Sequence, residues 1–237
     1  MHLRRLPFAS GAGAGGPRAS AIERTAHGRH MGAAMHLRLP AILVAARQHG
    51  EAAVVGRFLT REHGIVAAYV AGGRGRRLRP VLIPGNLVDL ELAGRSEGQL
   101  PFARAELVAS RGPWLGEPLP AAAIAWVAAL TATALPERQP YPPLYEALDA
   151  VLQAICNAAS ARSWVGALVG YETLLLRELG YGGRGADAGG RPEGDLQQVL
   201  AAMDGLAAPL DRYLLADRRG DVMAARSRLR ELLRRIG

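Results

Sequence analysis

The stretch Gly72-Gly-Arg-Gly-Arg-Arg-Leu-Arg-Pro80 separates two apolar, β-branched segments and organises the chain around it. It places four arginines within six positions, and no acidic residue lies between Glu62 and Asp89. Its glycines permit backbone conformations that other residues avoid, and Pro80 stops a helix from running through it. The pattern predicts a mobile arginine loop that projects from a small β-structure. The arginines are Arg74, Arg76, Arg77 and Arg79.

The chemistry of this loop favours a nucleic acid as its ligand. A guanidinium group forms paired hydrogen bonds with phosphate oxygens, and its plane stacks on bases. A run of charge is also commonly a solvated turn without any partner, and the loop alone leaves that alternative open.

Five short segments with turn signals between them predict β-strands. They cover residues 41–47, 51–60, 65–71, 87–92 and 102–108. The clearest is Leu87-Val-Asp-Leu-Glu-Leu92, in which apolar and acidic residues alternate as in a half-buried strand. So many short strands in so short a span predict a small closed barrel. An OB-type barrel is the natural candidate, and an SH3-like barrel would give a similar pattern.

The second half of the chain is predicted to be helical. After the break Gly112-Pro-Trp-Leu-Gly-Glu-Pro-Leu-Pro120, helices are expected at 121–135, at about 144–159 and from 163 to a glycine stop at 180–183. Two or three shorter helices should follow Asp195, and Asp221 is a candidate N-cap for the last. The polar surface of that last helix is expected to include Arg226, Arg228, Arg230, Arg234 and Arg235. The predicted class is α+β, an N-terminal small barrel followed by an all-α domain.

Composition excludes several functions. The net charge is +8 and the pI about 10.6, which favours polyanionic partners. The chain contains no lysine, so it has no Walker lysine and forms no Schiff base. Cys156 is the only cysteine, which rules out internal disulfides and a cysteine-rich zinc site and predicts a buried thiol. No apolar run is long enough for a membrane span, and a reducing cytoplasm fits best.

No catalytic or metal site is indicated. The six histidines lie in the N-terminal segment or at predicted turns, without the ligand spacing of a metal centre. Carboxylates such as Glu172 and Glu178 lie among leucines on a helix, and nothing marks a general acid–base pair. Trp126, Trp164 and Tyr171 fall on apolar helical stripes, where core packing is expected. We therefore predict a non-enzymatic protein without a cofactor or metal.

Three regions are expected along the chain. Residues 1–34 are rich in glycine, alanine and arginine, and predict a disordered tail or a start codon chosen too far upstream, with Met31 and Met35 as candidate starts. Residues 35–111 should form the barrel and residues 118–237 the helical domain.

Several stretches together resemble the RecO recombination-mediator family of bacterial DNA repair. Each is weak alone, and their order and spacing make the resemblance specific. They are Arg47-Gln-His-Gly-Glu51, Phe58-Leu-Thr-Arg-Glu-His-Gly64, Ala71-Gly-Gly-Arg-Gly-Arg-Arg-Leu-Arg-Pro-Val-Leu-Ile-Pro-Gly-Asn86, Leu135-Pro-Glu-Arg-Gln-Pro-Tyr-Pro-Pro-Leu-Tyr-Glu146 and Tyr171-Glu-Thr-Leu-Leu-Leu-Arg-Glu-Leu-Gly-Tyr-Gly182.

The resemblance implies an OB fold followed by a helical domain. It implies binding of single- and double-stranded DNA and annealing of complementary strands. It also implies that the protein binds the C-terminal tail of SSB and acts with RecR to help load RecA onto SSB-coated DNA. Many family members carry a four-cysteine zinc module after the segment matching Gly180–Gly182. This chain has Gly183-Arg-Gly-Ala-Asp-Ala-Gly-Gly190 there, so zinc is not expected.

The DNA-binding role is carried onto the arginines of the loop, which match the basic loop of the family. Weaker candidates come from the same domain, because the sequence does not fix which face of a strand is exposed. These weaker candidates are Arg47, Arg57 and Arg104.

Two rival functions remain open. One is an adaptor whose helical domain captures the SSB tail and RecR. The other is a hydrolase or nuclease, which lacks the acidic cluster that a metal would need.

Overall fold

The structure, a computed structural model, describes residues 35–94, 99–182, 195–216 and 222–236. The predicted N-terminal tail, the glycine-rich stretch at 183–190 and the candidate cap Asp221 lie outside these residues.

Within the part of the chain that the structure describes, five strands, mostly paired antiparallel, close into a barrel in the order β1-β2-β3-β5-β4. They are β1 (Met35–His49), β2 (Ala53–Thr60), β3 (Gly64–Val70), β4 (Leu87–Gly94) and β5 (Phe102–Ala109). The long β1 pairs with β4 through its first half and with β2 through its second half. A parallel contact between Tyr69 of β3 and Phe102 of β5 completes the circle. The five predicted strands and the OB-type barrel are confirmed.

Alternation along each strand fills the barrel. Its interior holds Leu43, Phe58, Val70 and Leu90, each at most 1% exposed. A bulge in β1 between Leu43 and Ala45 shifts its register against β2 and lets a strand of this length curve around the barrel.

Among the described residues, five α-helices follow the barrel. They are α1 (Pro118–Ala134), α2 (Pro142–Asn157), α3 (Val165–Glu178), α4 (Leu196–Leu210) and α5 (Val222–Arg234). Prolines occupy the first turns of α1 and α2, where a missing N–H costs no hydrogen bond. Gly180, with a φ of 85°, ends α3 as predicted, since its N–H and that of Tyr181 reach back to Arg177 and Leu176. Asp195 caps α4 by accepting a hydrogen bond from the Gln198 N–H at 2.9 Å. No described helix is long and apolar enough to cross a membrane.

The helices pack on one end of the outer face of the barrel. Ile42, Val44, Leu59 and Ile65 point out of the barrel and join the same buried cluster as the helices. Trp126, Trp164 and Tyr171 lie inside this cluster, as predicted, and are at most 2% exposed. Apolar burial therefore holds the barrel against the helices, and each fully buried large side chain contributes roughly 1.5–3 kcal/mol.

A buried ion pair corrects one expectation about α5. Arg226 was expected on its polar surface, but it is 3% exposed and forms two hydrogen bonds with the Glu172 carboxylate, of 3.0 and 2.7 Å. The Trp126 indole donates to the same carboxylate at 2.8 Å. Burial raises the pKa of the Glu172 carboxyl, and the hydrogen bonds from Arg226 and Trp126 oppose that shift. The pair therefore fixes α5 against α1 and α3.

Cys156 is buried, as predicted. Burial raises the pKa of its thiol, and the neighbouring Arg111 guanidinium acts in the opposite direction. A buried thiol of raised pKa is a poor nucleophile, which agrees with a structural role.

The connection between α1 and α2 runs against the start of β3. The Arg138 N–H donates to the Ile65 carbonyl at 2.9 Å. Gly64 has a φ of 65°, and a Cβ built on it would lie 2.0 Å from the Gln139 carbonyl oxygen. Only glycine fits where these two backbones approach.

Replacing Gly64 by alanine should separate the connection from the barrel. The left-handed conformation alone costs roughly 1–2 kcal/mol for a residue with a Cβ, and the collision with Gln139 adds to it. Gly50→Ala is the matched control, because Gly50 has a φ of 60° and nothing within 4 Å of a built Cβ. Urea unfolding should show a larger decrease in the free energy of unfolding for Gly64→Ala than for Gly50→Ala. Equal losses for the two variants would contradict the close approach.

Candidate nucleic-acid interface

The arginine stretch is an ordered series of turns. The Arg79 N–H donates to the Gly75 carbonyl at 3.0 Å and the Leu82 N–H to the Leu78 carbonyl at 2.9 Å, as in successive helical turns. The series begins at Gly72, whose φ is 66°. The mobile loop expected from the glycines is therefore replaced by a folded element, and we call residues 71–82 the arginine turn.

Apolar residues anchor the arginine turn on the end of the barrel. Leu82 is 8% exposed within the barrel core, and Leu78 and Val81 pack against that core. A Cβ on Gly73 would lie 2.8 Å from the Cβ of Val54, so the backbone rests directly on β2. With the apolar side chains directed inward, the arginines are left on the solvent side.

All four arginines of the turn are exposed, and none forms an ion pair with a described acid. Arg76, Arg77 and Arg79 have no described hydrogen-bond partner for their side chains. Arg74 binds the β1–β2 turn, where its backbone N–H donates to Ala52 O at 3.1 Å and its guanidinium to Glu51 O at 2.8 Å. These bonds use carbonyl oxygens, so the positive charge of the turn is not neutralised.

Asn86 holds the far end of the turn in place. Its buried side-chain amide donates to the carbonyls of Pro80 and Val81 at 2.9 and 3.0 Å, and accepts from the Arg111 N–H at 2.7 Å. The Arg111 guanidinium, itself buried, lies 3.3 Å from the Gly85 carbonyl oxygen and 3.6 Å from Asp149 of α2. The arginine turn is thus joined to the end of β5 and to the helices. Nothing in the sequence indicated this role for Asn86.

The three weaker candidates differ in exposure and in their ion pairs. Arg47 and Arg104 are exposed and have no described ion pair. Arg57 is half-buried at the junction with α1, with its Nε 3.3 Å from Glu137 and its terminal nitrogen donating to the Ala132 carbonyl. Arg57 therefore joins the barrel to the helices, and a DNA-binding role for it stays a prediction.

Apart from the arginine turn, Arg47 and Arg104, every described arginine of the barrel lies beside an acid. Arg38 lies 2.7 Å from Asp89 and 3.5 Å from Glu106, and His36 lies 2.8 Å from Glu91. The unpaired positive charge of the described barrel is concentrated at the arginine turn, Arg47 and Arg104. Within the described residues, no group of three or more histidine, cysteine or acidic side chains could hold a metal ion.

Comparisons with known proteins agree with this architecture. The family model for the recombination protein O N terminal matches residues 35–111, and that for the recombination protein O C terminal matches residues 118–185. Together they cover more than half of the chain.

Curated relatives point the same way. The DNA repair protein RecO of Rhodospirillum centenum is 43% identical over 143 residues, which are 60% of this chain and 56% of that protein. Those of Rhodospirillum rubrum and Phenylobacterium zucineum are 40% and 38% identical over 144 residues, again 60% of this chain and 57% and 58% of those proteins. The chain spans a little more than half the length of the curated relatives it matches. On the two family models and these identities, the chain belongs to the RecO family.

Proposed function

We propose that the protein is a DNA repair and recombination mediator that binds single- and double-stranded DNA and anneals complementary strands. With RecR it would help load RecA onto SSB-coated DNA in the RecF pathway, as a cytoplasmic, nucleoid-associated protein. The observation that carries the proposal is the arginine turn, whose four exposed guanidinium groups are held on a folded backbone without an acidic partner among the described residues.

The arrangement suits a ligand recognised by charge. Arginine forks bind phosphate oxygens bidentately, and phosphate contacts position a strand without selecting its sequence. A protein that holds two polyanionic strands near one another while leaving their base edges free would promote annealing. Neither step breaks a covalent bond, so the proposal requires no catalytic group, cofactor or metal.

A second candidate is an adaptor function of the helical region. A groove between the start of α1 and α5 is lined by Leu115, Pro118, several alanines and Arg228. Arg228 is exposed and has no described ion-pair partner. An apolar groove with a free guanidinium at its side suits an acidic peptide with a hydrophobic end, which is the chemistry expected of the SSB tail. RecR would be the other partner, and no described surface is assigned to it.

Removing charge from the turn should weaken DNA binding broadly. Replacing Arg76, Arg77 and Arg79 by alanine is expected to lower affinity for single-stranded and duplex oligonucleotides of any sequence. The slope of log K against log salt on duplex should fall by about 0.9 for each phosphate that the variant no longer neutralises. Fluorescence anisotropy over a salt series measures both quantities.

A control with the same loss of charge is the triple replacement of Arg177, Arg234 and Arg235, each exposed and beside an acid. Equal weakening by the two triple variants would mean that net charge, and not the turn, governs binding.

The hydrogen bonds of the Asn86 side chain can be tested without changing the charge of the protein. Asn86→Ala leaves the Arg111 N–H and the carbonyls of Pro80 and Val81 without their partner, which should cost about 1–3 kcal/mol of stability. The loosened turn should be cut faster by trypsin after Arg74, Arg76 and Arg77, which are not followed by proline, and DNA affinity should fall. Asn157→Ala, at an exposed asparagine whose amide bonds the Gln153 carbonyl, is the control. Unchanged tryptic cleavage in Asn86→Ala would show that other contacts hold the turn.

Strand annealing distinguishes the mediator from the adaptor. Complementary oligonucleotides, bare or coated with SSB, should anneal faster with the protein than without it, and the triple turn variant should lose this acceleration. Capture by SSB without measurable DNA binding would favour the adaptor. Magnesium-dependent cleavage of the oligonucleotides would contradict both and support a nuclease.

A further inference from the structure

A row of residues crosses the open end of the outer barrel face. Strand register places Arg47 opposite Val55, Val55 opposite Tyr69, and Tyr69 opposite Phe102, so the row spans four strands. The adjacent residues Val54, Val70 and Ala103 point into the barrel core, which directs the members of the row outward. The helices cover the outer face around Ile42 and Ile65, and the row lies beyond them.

Two aromatic rings form the centre of this row. Phe102 is 62% exposed, the largest exposed fraction among the large apolar side chains described. Its ring meets that of Tyr69 edge to face, with 5.3 Å between the centroids, and Tyr69 meets His49 in the same way at 5.8 Å. The Tyr69 N–H donates to the Pro101 carbonyl at 2.8 Å and fixes β3 beside β5 at this point. The rings are therefore held in place while a face of Phe102 stays open to solvent.

Guanidinium groups lie at both ends of the rings. Arg47 begins the row, and Arg104 follows Phe102 on the same face of β5. One cleft is lined by Ala71, Phe102, Arg104 and Glu91. The Glu91 carboxylate lies 2.8 Å from the His36 ring, which is its described charged partner. An exposed aromatic surface between two cations without described ion pairs matches the alternation of base and phosphate in a nucleic acid strand.

The row adjoins the arginine turn. Ala71, the first residue of the turn, lies in the cleft with Phe102. Arg74 binds Glu51 and Ala52 in the β1–β2 turn, directly after His49, whose ring contacts Tyr69. A strand held by its phosphates at the arginine turn would thus continue onto the rings.

We infer that the row Arg47, Val55, Tyr69 and Phe102, together with Arg104, binds unpaired bases and gives the barrel a preference for single strands over duplex. This inference rests on the proposed DNA-binding function and adds the discrimination that phosphate contacts do not supply. In a duplex, the base faces are stacked on one another and closed to Phe102. In a single strand, stacking on the ring uses the face of a base and leaves its pairing edge exposed, so a bound strand stays competent to anneal.

The test compares three probes with Phe102→Ala. The probes are an oligothymidine, an abasic oligonucleotide of the same length and a duplex. The unmodified protein should bind oligothymidine more tightly than the abasic strand. Phe102→Ala should lower affinity for oligothymidine by about five-fold or more and leave the other two within about two-fold. Phe102→Trp should retain the preference, because it keeps an aromatic face.

Val108→Ala is the matched control. Val108 lies on the same strand as Phe102 and is 60% exposed, but it is six residues further along the chain than Phe102. Quenching of 2-aminopurine placed in the single strand reports stacking directly and should be lost in Phe102→Ala only. Thermal unfolding of each variant establishes that its fold is intact.

The outcomes separate this inference from the function on which it rests. If the unmodified protein binds none of the probes, the proposed DNA-binding function fails. If it binds oligothymidine and the abasic strand equally, and the triple arginine variant weakens both, that function stands and the base-binding row is overturned. Equal weakening of all three probes by Phe102→Ala, or an equal effect of Val108→Ala, would overturn the row as well.

Discussion

The side-chain amide of Asn86 is the group on which the position of the arginine turn depends. It is buried, and both its donor and its acceptor groups are engaged, with Pro80 and Val81 on one side and the Arg111 N–H on the other. Inside a protein, such an amide fixes three backbone segments at once, because each broken bond would leave a buried polar group unpaired. A basic segment that would otherwise sample many conformations is thereby held in one conformation on the end of the barrel.

Arg111 extends this constraint to the helices. Its guanidinium, 5% exposed, lies near the Gly85 carbonyl oxygen and Asp149 of α2. A Cβ on Gly85 would fall 2.8 Å from Ile124 of α1, so the same corner is closely packed as well as hydrogen-bonded. Barrel, turn and helices consequently share one junction. The helices cover one end of the outer barrel face and leave the other end, with its aromatic row, beside the arginine turn.

Strand and helix positions were predictable because they follow from short-range patterns. The alternation in Leu87–Leu92 and the glycine stop at Gly180 each act within a few residues, and the structure has β4 and the end of α3 there. The form of the arginine turn was not predictable, since Asn86 and Arg111 hold it from outside the stretch. The burial of Arg226 and the contact of Arg57 with the helices were not predictable for a related reason. Periodicity tells which residues share a face, but only the packing of the helices decides which face is covered.

The absence of lysine shows how one side chain serves both structure and binding. A guanidinium offers five donors in a plane, so Arg226 satisfies the Glu172 carboxylate and a backbone carbonyl within the core, and Arg57 bridges Glu137 and α1. The same geometry suits phosphate oxygens when the group is exposed, as in the arginine turn. Arginine content therefore cannot by itself locate a nucleic-acid surface in this chain. What separates the two uses is whether the fold provides an acceptor: the buried arginines have one, and Arg76, Arg77 and Arg79 have none among the described residues, so their donors are available to a ligand.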